Sequence, residues 1–126
     1  PGGWWILFEP ELHLREDVLV PDLAGWRRER MPEVPKGVPF EIAPDWVCEV
    51  ISPSSARIDR GAKGLIYAKH GVRHLWIVDP IARTLEVQRN TAGQWTVLGV
   101  HGDSDIVRAE PFDAVELKLG TLWGID

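Results

Sequence analysis

Trp46-Val47-Cys48-Glu49-Val50-Ile51-Ser52, with Pro53-Ser54-Ser55 behind it, is the stretch that decides the fold. Its first part is a short, nearly continuous apolar run, the pattern of a central strand covered on both faces. Ser52-Pro53-Ser54-Ser55 breaks that strand, since proline has no N–H to give a ladder. A helix is expected over residues 57–70, with Ser and Asp near its start as caps and Lys69, His70 and Gly71 at its end. Ala62, Leu65, Ile66 and Ala68 supply its apolar stripe, while Gly61 and Gly64 each weaken it by about 1 kcal/mol relative to Ala. His74-Leu75-Trp76-Ile77-Val78-Asp79 reads as the next strand, closed by Pro80. Strand, helix, strand in about 34 residues has the size of a βαβ crossover, which predicts that the two strands run parallel.

Outward from this unit the pattern changes. Residues 4–8 and 11–14 read as extended and are interrupted by Pro10. Residues 18–22 read as a further apolar strand ending in Asp22, followed by an extended stretch over 23–27. Pro32, Pro35, Pro39 and Pro44 force residues 31–44 into a surface loop. On the C-terminal side, residues 84–89 and 95–100 flank Asn90-Thr91-Ala92-Gly93-Gln94, a hairpin signal. Residues 106–109 and 115–119 add short strands. There is no repeat, low-complexity tract or linker. The expectation is one α/β (α+β) domain over residues 1–126: a mixed sheet, one principal helix and a C-terminal antiparallel meander.

The 126 residues suffice for one core, and 44% hydrophobic with 26% charged residues is an ordinary globular balance. Apolar runs are too short to span a bilayer and no secretory leader pattern is present, so a cytoplasmic home is expected. The single cysteine, Cys48, excludes an internal disulfide and reads as a small buried residue. The chain starts Pro1-Gly2-Gly3 and its one methionine is Met31, so it reads as part of a longer product. A net charge of −5 excludes a coat of positive charge but not a local basic face. Arg27, Arg28 and Arg30, beside Trp26, form the basic cluster; it reads as a solvated loop or as a contact to a phosphate backbone. The seven tryptophans read mainly as packing.

Glu49 is the most informative residue. A carboxylate in a strand that must be buried costs several kcal/mol unless it is neutralised, hydrogen-bonded or bound to a cation. A salt bridge to Arg or Lys is the simplest reading. Asp22 adds a second carboxylate at a strand end, although an aspartate after proline is also an ordinary turn residue. Together Asp22 and Glu49 form a natural site for Mg²⁺, which takes a few hard oxygen ligands and keeps several waters. Lys63 lies four residues after Asp59, so the two can pair on the helix surface. Alternatively, Lys63 leans over the preceding strand toward the site. Tyr67 shares that helical face and reads as a packing residue with a polar tip.

Val20-Pro21-Asp22, Glu49-Val50-Ile51-Ser52-Pro53-Ser54, Asp59 with Lys63 and Tyr67, Gly71-Val72 and Trp76-Ile77-Val78-Asp79-Pro80 together resemble a bacterial family of "putative restriction endonucleases". That family is a branch of the PD-(D/E)XK nuclease superfamily, and the resemblance is close over about residues 18–80. It implies a restriction-endonuclease-like fold, DNA as substrate, and Mg²⁺ or Mn²⁺ held by Asp22, Glu49 and the carbonyl of Val50. It also implies that Lys63 takes the lysine role, because Ile51 stands where the superfamily motif places lysine. An acidic residue of the family's N-terminal segment has no match; Glu11 is a candidate neighbour of the site. The departure at Ile51 and the acidic net charge keep a second reading open, a non-catalytic nucleic-acid-binding or protein-interaction domain on a nuclease fold. A homodimer is expected by analogy, since symmetry would present two sites to two strands.

Overall fold

The computed structural model describes residues 3–37, 39–52 and 59–124, with the backbone alone at Asp59 and Arg60. Six strands form the main sheet in the order β1-β4-β5-β6-β7-β8. They are β1 (Trp4–Phe8), β4 (Leu23–Arg27), β5 (Trp46–Val50), β6 (His74–Asp79), β7 (Thr84–Thr91) and β8 (Gln94–Gly102). Only β5 and β6 pair in parallel; the other neighbours in this sheet are antiparallel. Strand β5 therefore lies at the sheet centre, and four of its five residues are buried.

Between β5 and β6 the chain makes a π-helical turn, Asp59–Lys63, that continues as helix α1 (Gly64–Lys69). The expected Ser caps and the first residues of the predicted helix lie outside the described residues. The buried face also differs from the predicted stripe. Gly64, Tyr67 and Ala68 are buried, while Leu65 is 72% exposed and Ala62 faces solvent. Gly64 takes the close approach instead: the indole N–H of Trp95 on β8 donates to its carbonyl at 2.8 Å. The helix ends as expected at Gly71, whose φ of +81° is the left-handed value that glycine adopts without strain. Asn90 donates from its amide to the carbonyls of Ala68 and Val72 and closes that end.

The residues before β4 depart from the expected strand over 18–22. Strand β3 (Asp17–Leu19) pairs with β2 (Leu12–Leu14) in a separate hairpin, and the chain breaks at Val20-Pro21-Asp22 before β4 starts. Pro21 cannot donate to a ladder, so the turn between sheets falls there. Asp22 thus precedes a strand rather than ending one. At the other end, β9 (Ile106–Val107) and β10 (Leu117–Lys118) pair with each other outside the main sheet, and a short helix, α2 (Leu119–Trp123), follows.

Two cores lie on the two faces of the sheet. On one, Ala24, Val47, Leu75 and Ile77 pack with Tyr67 of α1 and with Leu12, Leu14 and Leu19 of the hairpin. On the other, Leu85 and Val87 meet Val107, Ala109 and Leu119. Trp46 and Trp76 stand edge to face on this second side, with Phe112 against both. Among the described residues no helix is long and apolar enough to cross a membrane.

Candidate active site

Strand alternation puts Val47 and Glu49 on the face that α1 covers. In the β4–β5 register Leu23 faces Cys48 and Ala24 faces Val47; continued by one residue, it sets Asp22 beside Glu49 on that same face. The ladder has ended there. Asp22 replaces it with a side-chain bond, its Oδ2 accepting the Val50 N–H at 2.6 Å. The next amide, of Ile51, donates to Val78 on the opposite side. Successive residues of a strand present N–H and C=O to alternate edges, so the Val50 carbonyl shares the edge that faces Asp22.

Glu49 is 6% exposed and is bound from the helix. The Tyr67 hydroxyl donates to Glu49 Oε2 at 2.7 Å, and the Lys63 ammonium lies 3.3 Å from the same oxygen. Burial pushes the Glu49 carboxyl above its ordinary 4.5, and the Asp22 charge adds to the rise; Tyr67 and Lys63 pull it back. Both acids also act on Cys48, whose buried thiol is pushed up to about 12 and stays protonated at neutral pH.

The structure therefore brings together Asp22, Glu49, Val50 and Lys63. The tyrosine bond is the feature that sequence reasoning missed. Its signal was present in the spacing, because residues 63 and 67 lie one turn apart. The alternative Asp59–Lys63 pair involves a side chain outside the described residues. Ile51 is buried in the core on the Glu49 side, so the cation reaches Glu49 from the helix rather than from the strand. Glu11 pairs with His13, and the acid joined to Asp22 is Glu9, whose backbone N–H donates to the Asp22 carbonyl at 3.0 Å.

Two carboxylates and a main-chain carbonyl are an all-oxygen donor set, which fits a hard divalent cation that retains water. Among the described residues no group of three or more His, Cys, Asp and Glu side chains could hold a metal. An ion here would complete its shell with main-chain, water or substrate oxygens, as Mg²⁺ commonly does.

The arginine cluster lies at the far end of β4 from Asp22 and is absorbed by packing. Arg27 and Arg28 stack on Trp4 and Trp5 at 4.6 and 4.0 Å, and Arg30 pairs with Asp45 at 2.9 Å. Helix α1 is tied down at its C-terminal end, where Asp17 of β3 pairs with Lys69 and His70.

Among curated proteins none matches the chain. A crystal structure of a "putative nuclease" from Anabaena variabilis is similar, with a TM-score of 0.76 at 25% identity. The match covers 98% of this chain and 69% of that one. The sequence pattern of the family described as "Putative restriction endonuclease" matches residues 2–120. With nearly its whole length matched, the chain belongs to that family.

Proposed function

We propose that the chain is a divalent-metal-dependent endonuclease that hydrolyses DNA phosphodiester bonds. Asp22, Glu49 and the Val50 carbonyl would hold Mg²⁺ or Mn²⁺, and Lys63 would assist the chemistry. The observation that carries the reading is the setting of Glu49. It is a buried carboxylate beside a second carboxylate, and among the described residues one ammonium, 3.3 Å away, is set against both. Two neighbouring acids in a structural role would need more compensation than that. A bound divalent ion supplies the missing charge, stabilises charge developing on a phosphoryl oxygen and acidifies water.

The chain's own residues have distinct tasks in this reading. Asp22 is fixed by the Val50 amide, so its remaining oxygen keeps a constant direction. Lys63 stands at the mouth of the site, its side chain 30% exposed, where an ammonium can orient water or meet a phosphate oxygen. Family membership and the likeness to a nuclease structure support the assignment.

The test is calorimetric titration of Mn²⁺ into the parent and Glu49→Ala proteins, alongside plasmid cleavage with Mg²⁺. Binding by the parent that disappears in a folded Glu49→Ala variant is the expected result. Equal binding by both would sink the assignment, and no binding by a folded parent would put the non-catalytic reading first.

A further inference from the structure

We propose that Glu49 is held by two groups with opposite duties: Tyr67 is a positioning residue, and Lys63 is a placeholder cation that yields when a metal is bound. This rests on the metal-site reading above. Among the described residues, both donors to Glu49 converge on one oxygen, Oε2.

The two contacts differ in kind. The Tyr67 bond, 2.7 Å, has the length of a strong hydroxyl-to-carboxylate hydrogen bond. Tyr67 is fully buried in the core beneath α1, so its ring is fixed by packing. The Lys63 contact, 3.3 Å, is long for a charge-assisted hydrogen bond. Lysine carries its charge on a flexible four-carbon stem, and this one is partly open to solvent.

Electrostatics then separates their roles. A phenol is neutral and adds no repulsion to a nearby divalent ion, so its bond to Glu49 can persist. An ammonium on the same carboxylate repels that ion. Without metal, Lys63 offsets a buried charge that would otherwise be costly; with metal, that duty ends and the ammonium is free to face water or phosphate. The same lysine is thus a stabilising counter-ion in one state and a chemical participant in the other.

Opposite signs follow for two substitutions, measured on the full chain by Mn²⁺ calorimetry and by melting with and without Mn²⁺. Lys63→Gln is expected to melt lower than the parent without metal, to bind Mn²⁺ about tenfold more tightly and to gain more in melting temperature from it. Lys63→Arg keeps the charge and is expected to bind like the parent. Tyr67→Phe is expected to bind about 10–100-fold more weakly, as for loss of an outer-shell partner of a ligand. It should also carry more inner-sphere water on bound Mn²⁺, read by proton relaxation. A core variant on the opposite face, Val87→Ala, should lose stability without either change.

Weaker or unchanged Mn²⁺ binding in Lys63→Gln overturns the inference while leaving the site reading intact, provided the parent binds and Glu49→Ala does not. Parent-like affinity in Tyr67→Phe overturns the positioning role. A parent that does not bind Mn²⁺ overturns both readings. Should Tyr67→Phe fail to fold, the sign for Lys63→Gln against Lys63→Arg still decides.

Discussion

The two buried acids of the described residues both belong to the β5 region, Asp45 just before the strand and Glu49 within it. They are four residues apart and almost equally shielded, at 3% and 6% exposure. Asp45 has both oxygens satisfied: Oδ1 pairs with Arg30 at 2.9 Å, and Oδ2 accepts the Arg27 amide at 2.8 Å. Its backbone carbonyl accepts the amides of Arg73 and His74, so it also splices the start of β6 to β5. Among the described residues Glu49 has its partners on one oxygen only; it has a second acid beside it and is held above its ordinary pKa. Burial of a carboxylate therefore says little about function. The way its charge is compensated separates a structural acid from a candidate ligand.

The sharpest way to break this contrast is to neutralise each acid in turn. Glu49→Gln should lower Mn²⁺ affinity by at least about 100-fold, and cleavage with it, while the fold survives. Asp45→Asn should instead cost about 1–3 kcal/mol in urea unfolding through its weakened charged contacts, with Mn²⁺ affinity unchanged. A metal defect in the Asp45 variant would erase the distinction.

A pH series in the presence of a chelator sharpens the same point. The folded state binds the Glu49 proton more tightly than the unfolded chain does, because burial raises that carboxyl. Its contribution to stability is therefore full below 4.5 and falls as pH rises from there through the raised value. Relative to Glu49→Gln, the parent should lose stability over that window. Glu110 supplies the opposite sign. Hydrogen bonds from Arg89 and His74 hold it down to about 2, so its contribution is present above 4.5 and lost as pH falls toward 2. The stability gap between parent and Glu110→Gln should close over that acid range.

The smallest effect concerns the arginines. Arg28→Ala should lose about 0.5–1 kcal/mol of stability, the worth of an exposed cation–π contact, and leave the salt dependence of DNA binding unchanged. A shallower salt slope would return this cluster to the nucleic-acid interface.

Much of this was legible in the sequence because it depends on local rules. Apolar continuity marked residues 46–51 as a central strand, and a glycine at position 71 marked the helix end, where φ is indeed positive. Asn90 to Gln94 marked a hairpin, and β7 and β8 pair around Ala92-Gly93. A carboxylate inside an apolar strand sets Glu49 apart in the sequence whatever its partners. The predicted helical stripe failed at Leu65 and Ala62 because that helix meets the sheet through Gly64 and Tyr67, where small size and a polar tip outweigh hydropathy. The extended stretch over 18–22 failed because Pro21 separates two sheets, and the ordering of strands across sheets has no local signature.

The parallel centre, the helix that crosses it and the presence of a buried acid follow from local order along the chain, since strand period, chain breakers and the cost of burying charge act on neighbouring residues. It took the packed fold to set Asp22 beside Glu49 and to bring Lys63 and Tyr67 onto one oxygen. The packed fold also decided that the arginines belong to the other end of the sheet. Those relations span from 14 to 28 residues of chain, and they arise from strand order and register, which are settled by how the faces of the sheet pack.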